Sequence, residues 1–183
     1  MQSKRFAIKY FVKGDVTFDL SMLVPIFQRW IQEHAVEGLL IDVADYKHVF
    51  QGPGIVLIGH EGDYGFDLRD GRPGLLYTRK RELGTSLADD LRLALRLAQQ
   101  ASRKLESESA LNGLQFDHDY AEILFFDRLN TPNTPEVFAS LHDMLNEIAP
   151  SVAANAEVQS IEADPRKPLT VRVGLAHAAE VHS

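Results

Sequence analysis

The stretch that most constrains how this chain can fold runs from 86 to 108. Asp89, Arg92, Arg96, Gln99, Arg103 and Glu106 recur at spacings of three and four and form one narrow wet stripe. Leu87, Leu91, Leu93, Ala94, Leu95, Leu97, Ala98 and Ala101 fill most of the remaining cylinder. An apolar arc this wide exceeds what one sheet contact requires. The helix must therefore be covered from two sides, either by its own chain or by a partner. Ser86 with Asp89 three residues later approximates a capping box and marks its start.

Shorter elements flank this helix. Residues 5–13 are rich in aromatic and β-branched types and read as a strand. Leu23, Ile26, Phe27, Trp30, Ile31 and His34 share one helical face, with Asp19 or Ser21 as cap, Pro25 in the first turn and Gly38 as the stop. Leu39 to Val43 and Ile55 to Gly59 flank Gln51-Gly52-Pro53-Gly54, a hairpin signal. That glycine-rich loop lacks the Lys-Ser/Thr of a phosphate-binding loop, so it reads as a turn. Extended pieces follow at Tyr64 to Leu68 and from Leu75, on either side of the turn Gly71-Arg72-Pro73-Gly74. Later come a strand at 120–127, a helix opened by Thr134-Pro135-Glu136 and closed by Pro150, and strands at 158–161 and 169–173. The tail 176–183 carries no pattern that would order it.

Strand, helix, strand, strand thus occurs at 5–59 and again at 120–174. A shift of 114 residues aligns Phe11 with Phe125, Leu23 with Val137, Phe27 with Leu141 and Ile55 with Leu169. The expected fold is α+β: one compact domain over 1–183, built from two βαββ-like halves (5–80 and 114–175) around the long helix, with antiparallel sheet and helices on one face. In element order this resembles the vicinal-oxygen-chelate and ferredoxin-like groups. The opening strand Phe6 to Val12 has neither the His nor the Glu that the first group uses for metal, so no residues carry over. The apolar runs at 39–41, 55–58 and 123–126 do not alternate. Such strands are buried on both faces, so the second face needs a cover: the long helix or another subunit.

Composition narrows the function classes. The 183 residues include no cysteine, which removes disulfide frameworks, thiol catalysis and zinc–thiolate sites. Nineteen basic against 26 acidic side chains give a net charge of -7, which argues against a nucleic-acid binder. No apolar run is long enough for a membrane span, and the N-terminus has no signal-peptide pattern. A cytoplasmic globular protein is expected.

Two polar clusters are candidate sites. A hairpin folded around Gln51 to Gly54 would bring Asp45 to His60 and Asp42 to Asp63, with Glu61 beside Tyr46. Asp45, His60 and Glu61 could then act in acid–base catalysis, and His60, Asp45 and Asp63 could hold a divalent metal. Arg69, Arg72, Arg79, Lys80 and Arg81 concentrate positive charge, and Arg69, Arg72 and Arg79 form the candidate anion site unless Asp67, Asp70 and Glu82 neutralise them. His118 lies in a turn, His34, His142, His177 and His182 have no companions at metal spacing, and no nucleophile elbow exists. The expectation is a non-catalytic binding or assembly protein, a homodimer through helix 86–108 or a partner of another protein, with an anionic small molecule as possible ligand. The alternative is a small metal-dependent or acid–base enzyme on the 39–64 hairpin.

Overall fold

The computed structural model describes residues 5–81 and 86–175. The tail 176–183, His177, His182 and Glu82 lie outside the described residues. The chain forms β1 (Phe6–Phe11), α1 (Leu23–Glu33), β2 (Leu40–Tyr46), β3 (Gly54–Gly59), β4 (Gly62–Asp67), β5 (Gly74–Arg79), α2 (Leu87–Glu106), β6 (Tyr120–Phe125), α3 (Pro135–Ile148), β7 (Glu157–Ser160) and β8 (Leu169–Gly174). The fold is α+β, with eight strands in one antiparallel sheet of order β2-β3-β4-β5-β1-β6-β8-β7.

Local chemistry explains the helix boundaries. Asp19 accepts from the Ser21 N–H and caps a short turn that leads into α1. That helix ends at His34, whose backbone is left-handed at φ 49°. Ser86 accepts from the Asp89 N–H to open α2, and Thr134 accepts from the Val137 N–H to open α3 with Pro135 at its first position. Each such cap satisfies an otherwise orphaned N–H and contributes about 1 kcal/mol.

The helices share one face of the sheet, and strand alternation selects what they cover. Phe6, Ile8 and Tyr10 of β1, Ile55 and Leu57 of β3, Tyr64 and Phe66 of β4, and Ile123 and Phe125 of β6 all belong to a single core cluster with Leu23, Phe27 and Trp30 of α1 and Leu141 and Leu145 of α3. Leu91, Ala94, Leu95, Leu97 and Ala98 of α2 are buried in that same cluster. The helix lies over the central strands β1 and β5 with α3 against it. Near its C-terminal end Glu108 accepts from Trp30 and Arg29 of α1. The wide apolar arc of α2 is thus internal. Of its leucines only Leu87 and Leu93 remain half-exposed, so the arc supplies no argument for a dimer through 86–108.

The opposite face differs from the expectation. No helix covers it among the described residues; α2 lies with α1 and α3. Ala7, Phe11, Val56 and Leu76 are buried there yet stand apart from the main core. Phe11 is covered there by the Arg72 guanidinium and the Tyr120 ring. The two parts of the chain are also unequal. β8 pairs directly with β6, whereas β4 and β5 stand between β3 and β1.

Candidate functional site

On β5 the alternation puts Leu76, Thr78 and Lys80 on the helix-free side and Leu75, Tyr77 and Arg79 on the other. Val56 and Ile58 of β3, Asp63, Gly65 and Asp67 of β4, and Ala7 and Lys9 of β1 join Leu76 on the helix-free side. Gly65 leaves the centre of this face without a side chain. The result is a trough of about 600 Å³, floored by Val56, Ile58, Leu76 and Phe126 and rimmed by Arg5, Arg69, Lys80, Asp63 and Tyr46. A volume of this size falls within the roughly 300–1,000 Å³ of small-molecule sites.

A second hollow of about 320 Å³ adjoins it and shares Arg69, Leu76 and Phe126. Here the charges are paired. Lys9 Nζ meets Asp67 Oδ2 at 2.7 Å, and Arg69 Nε donates to the other oxygen, Oδ1, at 2.6 Å. Burial pushes the Lys9 ammonium below its ordinary pKa, against the opposing pull of Asp67. Arg72 and Arg172 both donate to Glu122 Oε1 at 2.9 Å, and the Arg72 guanidinium lies 3.9 Å from the centre of the Phe11 ring.

The trough itself is less balanced. Lys80 reaches Asp63 at 2.7 Å, but Asp67 is shared by Lys9 and Arg69, and no acid among the described residues pairs with Arg5. Counting these groups gives four cations (Arg5, Lys9, Arg69, Lys80) against two acids (Asp63, Asp67) in a chain of net charge -7. The local field therefore favours an anion.

The expected anion trio is divided by the sheet. Arg69 and Arg72 lie on the helix-free face, Arg72 engaged with Glu122. Arg79 lies on the opposite face, 2% exposed, with Nη2 donating to Asp90 Oδ1 at 3.3 Å. Arg5 was not among the expected residues; its position two before Ala7 on the lysine side of β1 is the signal that could have found it.

The acid–base and metal cluster does not assemble. The register pairs Asp45 with Ile55, Asp42 with Ile58 and Tyr46 with Gly54. His60 and Glu61 form the two-residue turn between β3 and β4, and the His60 N–H donates to Leu39 O at 2.8 Å. Asp45 and His60 thus stand at opposite ends of the hairpin, five positions or roughly 17 Å of strand apart. Each candidate has a local role instead. Asp45 pairs with Lys47, Glu61 Oε2 accepts from the Leu39 N–H at 3.1 Å, and Asp63 accepts from the Gly59 N–H while pairing with Lys80. The cause is where the turn is centred: the loop 47–53 folds about residue 50 rather than about Gly52-Pro53, which slides the pairing by five positions. Among the described residues no three His, Asp or Glu side chains come together to hold a metal ion. No family model matches this chain, and no curated protein matches it.

Proposed function

We propose that this chain is a non-catalytic binding protein whose helix-free trough takes an anionic small molecule with an apolar body. The observation that carries the reading is the trough of about 600 Å³ over Gly65, where an apolar floor lies beside an excess of cations. Arg69 and Arg5 would meet the charged end, while Val56, Ile58, Leu76 and Phe126 would meet the rest. The ion pairs of the adjoining hollow, Lys9–Asp67 and Arg72–Glu122, would rigidify one end of the trough. We further infer a single domain built on two βαββ plans of ferredoxin-like type, the first enlarged by the β4–β5 hairpin. The order β6-α3-β7-β8 against β1-α1-β2-β3 supports this. A cytoplasmic location accords with an acidic chain that lacks cysteine.

Titration with an anilinonaphthalene sulfonate dye, an apolar anion, tests the trough. At Gly65 an added Cβ would meet its nearest neighbours at 3.6 Å or more, which is ordinary contact. Gly65→Leu therefore fills the trough without disturbing the helix-covered core. Saturable one-to-one binding is expected, abolished by Gly65→Leu in a variant that retains the wild-type circular dichroism. Arg69→Gln is expected to weaken it, and so is added salt. Dye that binds Gly65→Leu as it binds the wild type would overturn the proposal.

A further inference from the structure

On the helix-covered side, between the β3–β4 turn and α2, lies a separate cavity of about 180 Å³. It shares no residue with the trough and stands independently of that reading. Arg79 forms part of its wall. This guanidinium is 2% exposed, with Nη1 donating to the Tyr77 hydroxyl at 3.0 Å and Nη2 to Asp90. Its Nε–H has no partner among the described residues. Buried donors are rarely left in that state, and on a cation the unmade bond is costlier than on a neutral group. Tyr77 accepts from Arg79 and so keeps its own proton for a further acceptor; burial raises its pKa and holds that proton in place. Two donors are thereby available to one oxygen-bearing group.

The rest of the wall decides which group. Glu61 lines the cavity, and its bond from the Leu39 N–H holds its carboxyl below the usual carboxylate range. Glu37 lines it too, paired with Arg96 at 2.9 Å. Glu37, Glu61 and Asp90 against Arg79 and Arg96 leave no net attraction for a simple anion, and Glu61 is the acid in excess. An ammonium on the ligand would restore the balance at Glu61. Leu93 and Leu97 provide an aliphatic wall, and the volume is below that of drug-sized sites.

We propose that this cavity binds a small zwitterion of the amino-acid class. The carboxylate accepts from Arg79 Nε and the Tyr77 hydroxyl, the ammonium faces Glu61, and the aliphatic part lies on Leu93 and Leu97. The competing occupant is water, which could satisfy Nε without any selectivity.

Calorimetric titration of the full chain with glycine, alanine and leucine separates the two, with 4-methylpentanoate and isoamylamine as the two halves of leucine. Saturable one-to-one binding is expected for at least one amino acid, with either half at least about tenfold weaker. Glu61→Gln, at a half-buried turn position, is expected to weaken binding by a similar factor. Arg79→Met removes a buried ion pair and could fail to fold, so Leu93→Phe, at a half-buried helix position, serves as the filling variant with circular dichroism as its check. Absence of saturable binding by all three amino acids would sink the proposal. So would equal binding of a half-molecule, or wild-type binding by both Glu61→Gln and Leu93→Phe.

Discussion

Asp67 shows how one carboxylate can order a whole sheet face. It is 1% exposed and accepts from Lys9 on one oxygen and Arg69 on the other. Removing it leaves the Lys9 ammonium buried alone, whereas the half-exposed Arg69 can turn to water. Asp67→Ala is therefore expected to cost roughly 3–5 kcal/mol at neutral pH, the range for breaking a buried pair from one side. Lys9 already has a pKa below its ordinary 10.5 through burial, and without Asp67 it falls further. A lysine whose folded pKa is lowered binds fewer protons folded than unfolded between the two values, so stability rises with pH across that window. Urea unfolding of Asp67→Ala should recover part of the loss as the pH rises towards the ordinary lysine value of 10.5, because the folded-state ammonium deprotonates first. A deficit that stays constant over that range would show that Lys9 finds another partner.

The strands show what a sequence pattern reveals and where it stops. Residue-type runs and turn residues were enough to anticipate the strands, α1, α2 and α3. Arg69 could be singled out because a basic cluster stands out in an acidic chain. Register was not legible. Nothing local states that 47–53 all leave the ladder, and the five-position slide takes Asp45 away from His60. Facing was legible in principle, since Arg79 and Lys80 are neighbours on β5 and must point to opposite sides. Two glycines on β4 make that alternation testable. Gly62 lies opposite Arg79, and an added Cβ there would come within 2.6 Å of the Tyr77 hydroxyl and 2.8 Å of the Thr78 carbonyl. Gly65, on the other face, has room. Gly62→Ala is expected to lose at least about 1–3 kcal/mol as an overpacked site, while Gly65→Ala, whose Cβ meets only ordinary contacts, retains near-wild-type stability. Thermal unfolding of the pair decides it, and the reverse ranking would mean the two faces have been interchanged.

At the scale of the molecule, one sheet is covered by helices on one side and left to side-chain cover on the other. The apolar surface of α2 would have demanded a second copy had the helix been peripheral. It lies instead over β1 and β5, with α3 against it and α1 tied to its end through Glu108. Burying leucines such as Leu91, Leu95 and Leu105 contributes roughly 1.5–3 kcal/mol each within a single chain. The buried leucines of α2 are thus covered within one chain, and covering them needs no second copy. Chemical denaturation midpoints should therefore agree over about a hundredfold range of protein concentration, because only a folded state that requires association gains stability from concentration. Leu95→Ala should lower stability by roughly 2–5 kcal/mol, equally at both ends of that range. Four exposed apolar side chains lie elsewhere, Leu39, Ile41, Val49 and Phe50 along β2 and its loop. Contacts between copies through that strand would change light scattering but leave the Leu95→Ala deficit constant. A midpoint that climbs with concentration in step with a shrinking Leu95→Ala deficit would place α2 back at an interface.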